Sequence, residues 1–370
     1  MLKKDKFCIN SREFSSENVL IIAELGTSHG ADIIKAGDLI DAAAESGADC
    51  IKFQIVYAQE ILHPKTGEVQ LPGGNIRLFD RFKDLECSPD FYEKLKEKVE
   101  KKGLIFLCTP FGINSARELK ALKPECIKIA SPELNYTALL EEVSGYNLPV
   151  LLSSGVSLLS DIEAALSILG NMNTCLLHCV TSYPAPESDY NLSLLKNLSG
   201  IFGIPAGISD HSLDPELVPA LAVSQGAVAI EKHFALSRKD SGLDDPIALI
   251  PSDFAKMTKA IRKAEKAGPE ECLEFYYSER GKELVNSILG DGIKKLSPSE
   301  RANYQRTNRS IHALREIKKG ELIYSDMIRS LRTEKILRPG LPPIWEKKII
   351  GRRAIQDIPD GEGIRFEDIG

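Results

Sequence analysis

Short apolar runs rich in β-branched residues alternate with longer stretches of helical periodicity between about residues 19 and 265. This alternation predicts a series of βα units. The predicted strands are Val19–Ala23, Cys50–Phe53, Leu104–Cys108, Cys126–Ile129, Val150–Ser153, Thr174–Leu177, Phe202–Ile208 and Val228–Glu231. Eight such units in about 250 residues favour a closed (β/α)₈ barrel over an open, doubly wound sheet. No Gly-x-Gly-x-x-Gly turn follows the first strand, which argues against a dinucleotide site.

Helices are predicted where a polar start and a glycine or proline stop enclose a periodic stretch, as in Pro89–Lys102, Ser115–Leu122 and Asp161–Leu169. The last predicted barrel helix, Asp253–Lys266, ends before Gly268 and Pro269, so we assign residues 1–268 to the barrel. We interpret the charged segment 269–308 as a linker. Residues 309–370 alternate short apolar runs with turn sequences and predict a compact second domain, in which segments 317–321 and 358–362 resemble a pseudo-repeat of about 40 residues.

The composition is that of a folded protein, with 27% charged and 43% apolar residues. The net charge of -6 argues against a nucleic-acid partner, because a phosphate backbone requires a basic face. No segment reaches about 18 uninterrupted apolar residues, and the amino terminus lacks the apolar stretch of a signal peptide, so we expect a cytoplasmic protein without a membrane span. The eight cysteines include no Cys-x-x-Cys pair, which favours buried thiols over a structural zinc site.

The active site of such a barrel lies at the carboxyl ends of its strands. The polar residues predicted there are Glu24, Lys52, Gln54, Lys128, Ser131, Glu133, Ser153, Ser154, Thr181, Tyr183, Ser209, Asp210, His211, Glu231 and His233. Lys52 and Lys128 interrupt apolar strands at inward-facing positions, and two buried ammonium groups need anions. With the nearby hydroxyl groups they suit a phosphate and a carboxylate, which are the anionic ends of phosphoenolpyruvate. The alternative is a buried Lys–Glu pair that binds no ligand.

His211 and His233 follow consecutive predicted strands, which places both imidazoles on one side of the barrel mouth, within reach of a common divalent ion. Imidazole ligands suit manganese, iron, cobalt or zinc better than calcium. The alternative is a pair of buried histidines satisfied by hydrogen bonds. We interpret His178 as a core residue or as one that supports the site from outside it.

The chain resembles the bacterial sialic acid synthase family, which includes N-acetylneuraminate, legionaminate and pseudaminate synthases. The matching barrel segments are Ile22-Ala23-Glu24-Leu25-Gly26-Thr27-Ser28-His29-Gly30, Ile51-Lys52-Phe53-Gln54, Thr109-Pro110-Phe111, Lys128-Ile129-Ala130-Ser131-Pro132-Glu133-Leu134-Asn135, Ser153-Ser154-Gly155, Tyr183-Pro184-Ala185-Pro186, Gly207-Ile208-Ser209-Asp210-His211-Ser212 and Glu231-Lys232-His233-Phe234. The second domain resembles the family's antifreeze-like (SAF) domain through Arg309-Ser310-Ile311, Asp326-Met327-Ile328 and Arg338-Pro339-Gly340.

The resemblance implies a domain-swapped homodimer in which the small domain of one chain covers the barrel mouth of its partner. It implies that Lys52, Lys128, Ser131, Ser153, Thr181 and Ser209 surround phosphoenolpyruvate. Ser154 belongs to the hydroxyl groups that the strand pattern alone places beside the two lysines. It further implies acceptor contacts from Gln54, Tyr183 and Asp244, and from Arg309 reaching across to the acyl-amino group. His211 and His233 would hold the metal, which in this family is usually manganese.

The implied reaction joins carbon three of phosphoenolpyruvate to the aldehyde of an open-chain amino sugar such as N-acetylmannosamine, polarised by the metal. Water captures the cationic carbon two, and the resulting hemiketal phosphate loses phosphate by C–O cleavage. Glu133 is the acid/base residue that the resemblance implies, and Glu133 or Glu24 would orient the water.

Two departures from the family pattern fall where acceptor contacts are expected, in Gly242-Leu243-Asp244-Asp245-Pro246 and in the direct run from Gly340 into Leu341-Pro342-Pro343. They leave open a bis-acylated or otherwise altered six-carbon acceptor. One competing hypothesis is a deoxy-keto acid phosphate synthase, which needs a cationic subsite for a second phosphate that no strand end supplies. Another is a non-catalytic polysaccharide- or ice-binding protein, although the charged turns of residues 309–370 do not form a flat, repetitive array.

Overall fold

The structure is a computed structural model that describes residues 5–71, 74–170, 173–240 and 242–370. Within these ranges, eight parallel strands close into a barrel in chain order, the eighth pairing with the first from Ala229↔Leu20 to His233↔Glu24. The barrel strands are Leu20–Gly26, Cys50–Ile55, Ile105–Pro110, Cys126–Ile129, Val150–Ser153, Thr174–Cys179, Ala206–Asp210 and Ala229–His233. The predicted (β/α)₈ barrel is therefore confirmed. The seventh strand begins later than predicted because Phe202 ends a helix and Gly203 adopts a left-handed conformation, with φ of 66°.

Helices cover the outside of the barrel and bury the outward-facing strand residues. The helices of the chain are Ile33–Glu45, Ala58–Ile61, Leu78–Lys83, Pro89–Lys101, Ile113–Ala121, Thr137–Ser144, Leu159–Leu169, Leu194–Phe202, Leu217–Ser224, Pro251–Arg280, Lys282–Leu289 and Glu346–Ile349. None of the helices in the described residues is both long enough and apolar enough to cross a membrane.

The amino-terminal end of the barrel is sealed by apolar side chains. A hairpin of Phe7–Ile9 and Arg12–Phe14 packs its Phe7, Ile9 and Phe14 against the inward-facing residues of the strands, such as Leu20 and Leu177. This end of the barrel is filled by apolar side chains. The polar side chains of the barrel interior lie at the opposite, carboxyl end.

The segment predicted as a linker contributes to the barrel core. Helix Pro251–Arg280 is kinked at Gly268, with φ of 78°, and continues beyond it, and helix Lys282–Leu289 follows. Buried residues of both helices, including Tyr276 and Ile288, belong to the main apolar core. The prediction of a linker missed these helices because their apolar faces are short and lie among many charged residues.

The small domain has its own apolar core and two paired strands, Arg309–Ala313 and Ile328–Arg332. A second antiparallel hairpin, of strands Glu68–Leu71 and Gly74–Arg77, lies in the barrel part of the chain. The two pseudo-repeat segments meet in the small domain, where the backbone groups of Ile317 and Ile358 exchange hydrogen bonds of 2.8 and 2.9 Å.

A buried ion cluster joins the small domain to the barrel. Glu133, from the loop after the fourth strand, accepts hydrogen bonds from Arg309 and Arg332, with nitrogen–oxygen distances of 2.8 to 3.0 Å. Arg309 also donates to the carbonyl oxygens of Glu60 and Phe111. The small domain of this chain therefore covers its own barrel mouth, and the domain-swapped dimer stays a prediction.

We expect Arg309→Met to loosen this attachment. The substitution removes several hydrogen bonds made by a fully buried guanidinium, although Glu133 keeps Arg332 as a partner. The free energy of unfolding should fall by about 3 kcal/mol, measured by urea denaturation. Arg315→Met, which breaks an exposed ion pair with Glu321 in the same domain, is the matched control and should change little. Equal effects of the two variants would contradict the structural role of Arg309.

Candidate active site

A cavity of about 210 Å³ opens at the carboxyl ends of the barrel strands. Most of the residues predicted to form the site line it: Glu24, Lys52, Gln54, Lys128, Ser131, Ser153, Thr181, Tyr183, Ser209, His211, His233 and Asp244. The structure therefore brings the predicted anion site and the predicted metal site into one space.

A row of alternating charges forms the floor of the cavity. The ammonium nitrogen of Lys52 lies 3.0 Å from Oε2 of Glu24 and 3.0 Å from Oε1 of Glu231. Strand register produces this row, because Glu24 is paired with Lys52 across the first two strands and Ser209 with Glu231 across the last two. Ser209 donates a hydrogen bond of 2.9 Å to Glu231. Side chains at paired positions of adjacent parallel strands point the same way, so all four groups face the interior.

The carboxylates of this row differ in protonation behaviour. Burial raises the pKa of Glu24 despite the attraction of Lys52. Burial acts the same way on Glu231, but Lys128 and Lys52 outweigh it and lower its pKa to about 2. Burial would lower the pKa of Lys52, yet Glu231 and Glu24 together raise it above the ordinary value. Glu231 and Lys52 are therefore a charged pair near neutral pH, and Glu24 is the carboxyl group better suited to exchange a proton.

The positive charge of Lys128 is less well neutralised by nearby carboxylates than that of Lys52. Its ammonium group donates to Ser153 Oγ at 2.6 Å and to the carbonyl oxygen of Ile129 at 3.1 Å, and Glu231 lies 3.8 Å away. Burial lowers its pKa to about 8, against the attraction of Glu231. A buried ammonium group whose close partners are neutral favours binding of an anion.

Gly155 shapes the wall beside Lys128. Its amide donates to Ser131 Oγ at 3.0 Å, and a Cβ atom at this position would lie 2.1 Å from Thr181 Oγ1 and 2.9 Å from Ser131 Oγ. Only glycine leaves both hydroxyl groups in place. The hydroxyls of Ser131, Ser153 and Thr181 thus stand around the same part of the cavity as Lys128.

The two predicted metal ligands face each other across the cavity. The ring centroids of His211 and His233 are 5.5 Å apart, and the ring of Tyr183 stacks on His211 at 4.2 Å. Nδ1 of His211 lies 2.8 Å from the carbonyl oxygen of Val180, so this nitrogen is a donor and Nε2 is the nitrogen available to a metal. Burial alone would lower the pKa of His211, but Cys179 and the Val180 carbonyl raise it to about 8, so a metal ion bound at Nε2 near neutral pH would displace a proton. Burial lowers the pKa of His233 to about 4, so its imidazole is neutral.

These imidazoles fit one divalent ion in an open site. In the described part of the chain, no group of three or more histidine, cysteine, aspartate or glutamate side chains is placed to enclose a metal. Two protein ligands leave coordination positions for substrate or water, as in catalytic rather than structural sites.

A short loop carries Asp244 to the rim of the cavity. Oδ2 of Asp244 lies 3.9 Å from Nδ1 of His233. The loop is anchored by the buried Asp245, which accepts hydrogen bonds from Ser28 Oγ and from the amide of Gly242, and by Leu243, whose amide donates to Thr27 Oγ1 at 3.0 Å. The segment that departs from the family pattern therefore lines the cavity through Leu243 and Asp244.

Three of the predicted catalytic and substrate-binding residues, Glu133, Arg309 and Ser154, lie outside the cavity lining, as does the predicted strand-end residue Asp210. Glu133 and Arg309 neutralise each other in the buried cluster between the domains, so neither faces a substrate. Ser154 donates to the carbonyl oxygen of Leu177 at 3.2 Å and is fully buried. Ser153 points inward, and its immediate neighbour points away because successive strand residues alternate.

The structure adds lining residues that the sequence-based set omitted, among them Thr27, Cys179, Leu243, Thr307 and Arg332. Glu231, which that set placed at the end of the eighth strand, also lines the cavity. Alternation could have identified Cys179, which lies two residues before Thr181 at the end of the sixth strand. No local signal identifies Arg332 or Thr307, since the docking of the small domain brings both to the mouth.

Comparisons with known proteins match both parts of the chain. Residues 39–271 match the model of the NeuB family, and residues 308–370 match that of the SAF domain. The chain is 34% identical to the spore coat polysaccharide biosynthesis protein SpsE of Bacillus subtilis, over 95% of this chain and 93% of that protein. It is 31% identical to the N,N'-diacetyllegionaminic acid synthase of Campylobacter jejuni subsp. jejuni serotype O:2, over 94% of this chain and 99% of that protein.

Two solved structures extend the comparison. The crystal structure of Bacillus subtilis SpsE matches with a TM-score of 0.83 and 33% identity, covering 99% of both chains. The N-acetylneuraminic acid synthetase of Leptospira borgpetersenii serovar Hardjo-bovis, solved in complex with citrate, matches with a TM-score of 0.65 and 32% identity. That match covers 80% of this chain and 94% of the other.

We expect Gly155→Ala to weaken anion binding in the cavity. The added methyl group displaces the hydroxyls of Thr181 and Ser131, so the dissociation constant for inorganic phosphate should rise about tenfold or more, measured by isothermal titration calorimetry. Gly200→Ala, on an exposed helix position with open space around it, is the matched control and should leave phosphate binding unchanged. Wild-type phosphate affinity in Gly155→Ala would contradict this placement of the anion site.

Proposed function

The chain belongs to the NeuB family, and we propose that it condenses phosphoenolpyruvate with the open-chain form of an N-acyl amino sugar to give a nonulosonic acid and phosphate. The observation that carries this proposal is the joining, in one cavity, of a lysine–hydroxyl anion pocket and a facing pair of imidazoles. The product class is supported by relatives named for legionaminic, pseudaminic and N-acetylneuraminic acid synthesis.

Phosphoenolpyruvate binds at the end of the cavity formed by Lys128 and the hydroxyls of Ser131, Ser153 and Thr181. Its anionic groups complete the hydrogen bonding of the Lys128 ammonium group, whose nearby partners are neutral. Lys52 is already paired with Glu24 and Glu231. It therefore adds positive potential to the cavity and fixes the two carboxylates, rather than acting as the main partner of a substrate anion.

The imidazoles of His211 and His233 hold the divalent ion, for which manganese is our proposal. When bound, this ion supplies Lewis-acid polarisation of the acceptor's aldehyde oxygen. Tyr183, stacked on His211, restricts the ring of that ligand and forms the adjoining wall.

Glu24 is the residue that we assign to water activation. A carbon–carbon bond forms between carbon three of phosphoenolpyruvate and the aldehyde carbon, which leaves carbon two electron-poor. Water adds to carbon two and gives a proton to Glu24, whose raised pKa favours accepting it. The former aldehyde oxygen takes up the proton that Glu24 received and becomes a hydroxyl group of the product. The carbon–oxygen bond to phosphate then breaks as the hydroxyl group on carbon two gives its proton to the departing phosphate, which yields the keto acid and inorganic phosphate. Glu133 is excluded from this role because it lies outside the cavity and is paired with two arginines.

The acceptor occupies the rim lined by Gln54, Tyr183, Asp244 and Arg332. A sugar phosphate acceptor would need a cation for its second phosphate. Arg332 is the added cation at this rim, but its guanidinium already binds both oxygens of Glu133. A neutral amino sugar is therefore the better fit. A homodimer that exchanges small domains would form the same Arg332–Glu133 contact between chains, and it remains part of the proposal.

We expect phosphate release from phosphoenolpyruvate when manganese and an N-acyl amino sugar are both present. With ¹⁸O in the bridging position of phosphoenolpyruvate, the label should leave in phosphate, because the carbon–oxygen bond breaks. Chelation of the metal, His211→Ala and His233→Ala should each abolish turnover while the circular dichroism spectrum is retained. No phosphate release by folded protein across acylated mannosamine, glucosamine and altrosamine acceptors would overturn the proposal, and turnover only with sugar phosphates would favour the competing synthase class.

We expect Glu24→Gln to lower kcat by about 100-fold or more, since general base contributions are of this size, while the KM for phosphoenolpyruvate changes little. Glu133→Gln is the matched control at a buried carboxylate outside the cavity, and it should lower stability more than kcat. The reverse ranking of the two variants in kcat would show that Glu133 rather than Glu24 acts on the substrate.

A further inference from the structure

A buried ion pair lies behind the two histidines, on the helix side of the barrel wall. The seventh and eighth strands pair in register at Ser209–Glu231 and at Asp210–Lys232. The first of these pairs faces the cavity, so alternation turns Asp210 and Lys232 outward. The ammonium nitrogen of Lys232 lies 2.5 Å from Oδ2 of Asp210, and both side chains are almost completely buried.

This ion pair links the two backbone segments that carry the histidines. Lys232 immediately precedes His233, and its ammonium group also donates to the carbonyl oxygen of Ser212 at 2.7 Å and to its hydroxyl at 3.1 Å. Asp210 immediately precedes His211 and accepts a hydrogen bond of 2.8 Å from the amide of Ser212. The lysine beside one histidine thus binds the residues on both sides of the other.

Tyr190 completes the network. Its hydroxyl donates to Oδ1 of Asp210 at 2.6 Å and accepts a hydrogen bond of 2.6 Å from the amide of His211. Nε2 of His178 lies 2.6 Å from the carbonyl oxygen of Tyr190. The backbone of His211 is held by Tyr190 and its ring by the carbonyl oxygen of Val180, so neither part moves independently.

We propose that Lys232, Asp210 and Tyr190 are positioning residues that set the separation and orientation of the His211 and His233 imidazoles, and thereby the affinity for the divalent ion. The inference rests on the proposed metal-dependent function. None of the three residues lines the cavity. A buried ion pair adds little stability over an apolar pair of the same size, but its directed hydrogen bonds restrict geometry. Groups that orient metal ligands from outside typically change metal affinity by 10- to 100-fold when altered.

The test uses two variants of the full chain. Tyr190→Phe deletes one oxygen atom and leaves the ion pair, whereas the double variant Asp210→Asn/Lys232→Met removes both charges so that neither is left buried and unpaired. Metal is removed by chelation, and manganese binding is followed by electron paramagnetic resonance of the free ion. Both variants should bind manganese about 10- to 100-fold more weakly than the wild type.

Saturating manganese should restore most of the turnover, and the KM for phosphoenolpyruvate should stay unchanged because Lys128 and its hydroxyl partners are untouched. A loss of structure would not produce this pattern. Arg262→Met, which removes the partner of Asp49 at the sealed end of the barrel, is the matched control and should lower the melting temperature without changing manganese affinity.

Wild-type manganese affinity in both variants would overturn the inference and leave the proposed function intact. Weak turnover that excess manganese does not restore would also overturn it. A wild-type protein that binds no manganese would overturn the metal site itself. If the double variant does not fold, Tyr190→Phe decides the question.

Discussion

The attraction between buried lysines and glutamates at the carboxyl end of the barrel is the interaction on which the rest of the site depends. Lys52 cannot remain charged inside an apolar barrel without Glu24 and Glu231, and these three residues come from three neighbouring strands. Their meeting requires barrel closure between the last strand and the first, with the observed register. Fold and site are therefore coupled: the register that closes the barrel also creates the charge row and leaves Lys128 with mainly neutral partners.

The same physical demand explains the attachment of the small domain. Glu133 is buried beside the mouth and needs cations, and Arg309 and Arg332 supply them from a domain far away in sequence. A carboxylate that resembles a catalytic residue in sequence thus serves to hold the cover over the cavity. Arg332 has two roles, because it binds Glu133 and also forms part of the cavity wall.

At the proposed metal site, the two faces of the seventh and eighth strands have different roles. Ser209 and Glu231 face the cavity, and the next residues in register, Asp210 and Lys232, face the helices and hold the backbone behind the histidines. Period-two alternation makes this division unavoidable once the register is set. The ends of the seventh and eighth strands thus supply polar groups to the cavity on one face and, from the next residues along the chain, the hydrogen bonds that hold the histidine backbone on the other face.

The sequence by itself determined the barrel, the placement of its strand ends and most of the cavity lining, because alternating periodicity reports which residues face inward and a lysine within an apolar strand signals a shared polar site. It also distinguished the small domain, which has an apolar core of its own. Only the tertiary structure decided the positions of Glu133, Arg309 and Arg332, since these depend on how two domains dock across more than 170 residues of chain. The tertiary structure also decided that the segment after Gly268 is helical, because its short apolar faces become recognisable only where they pack against the barrel.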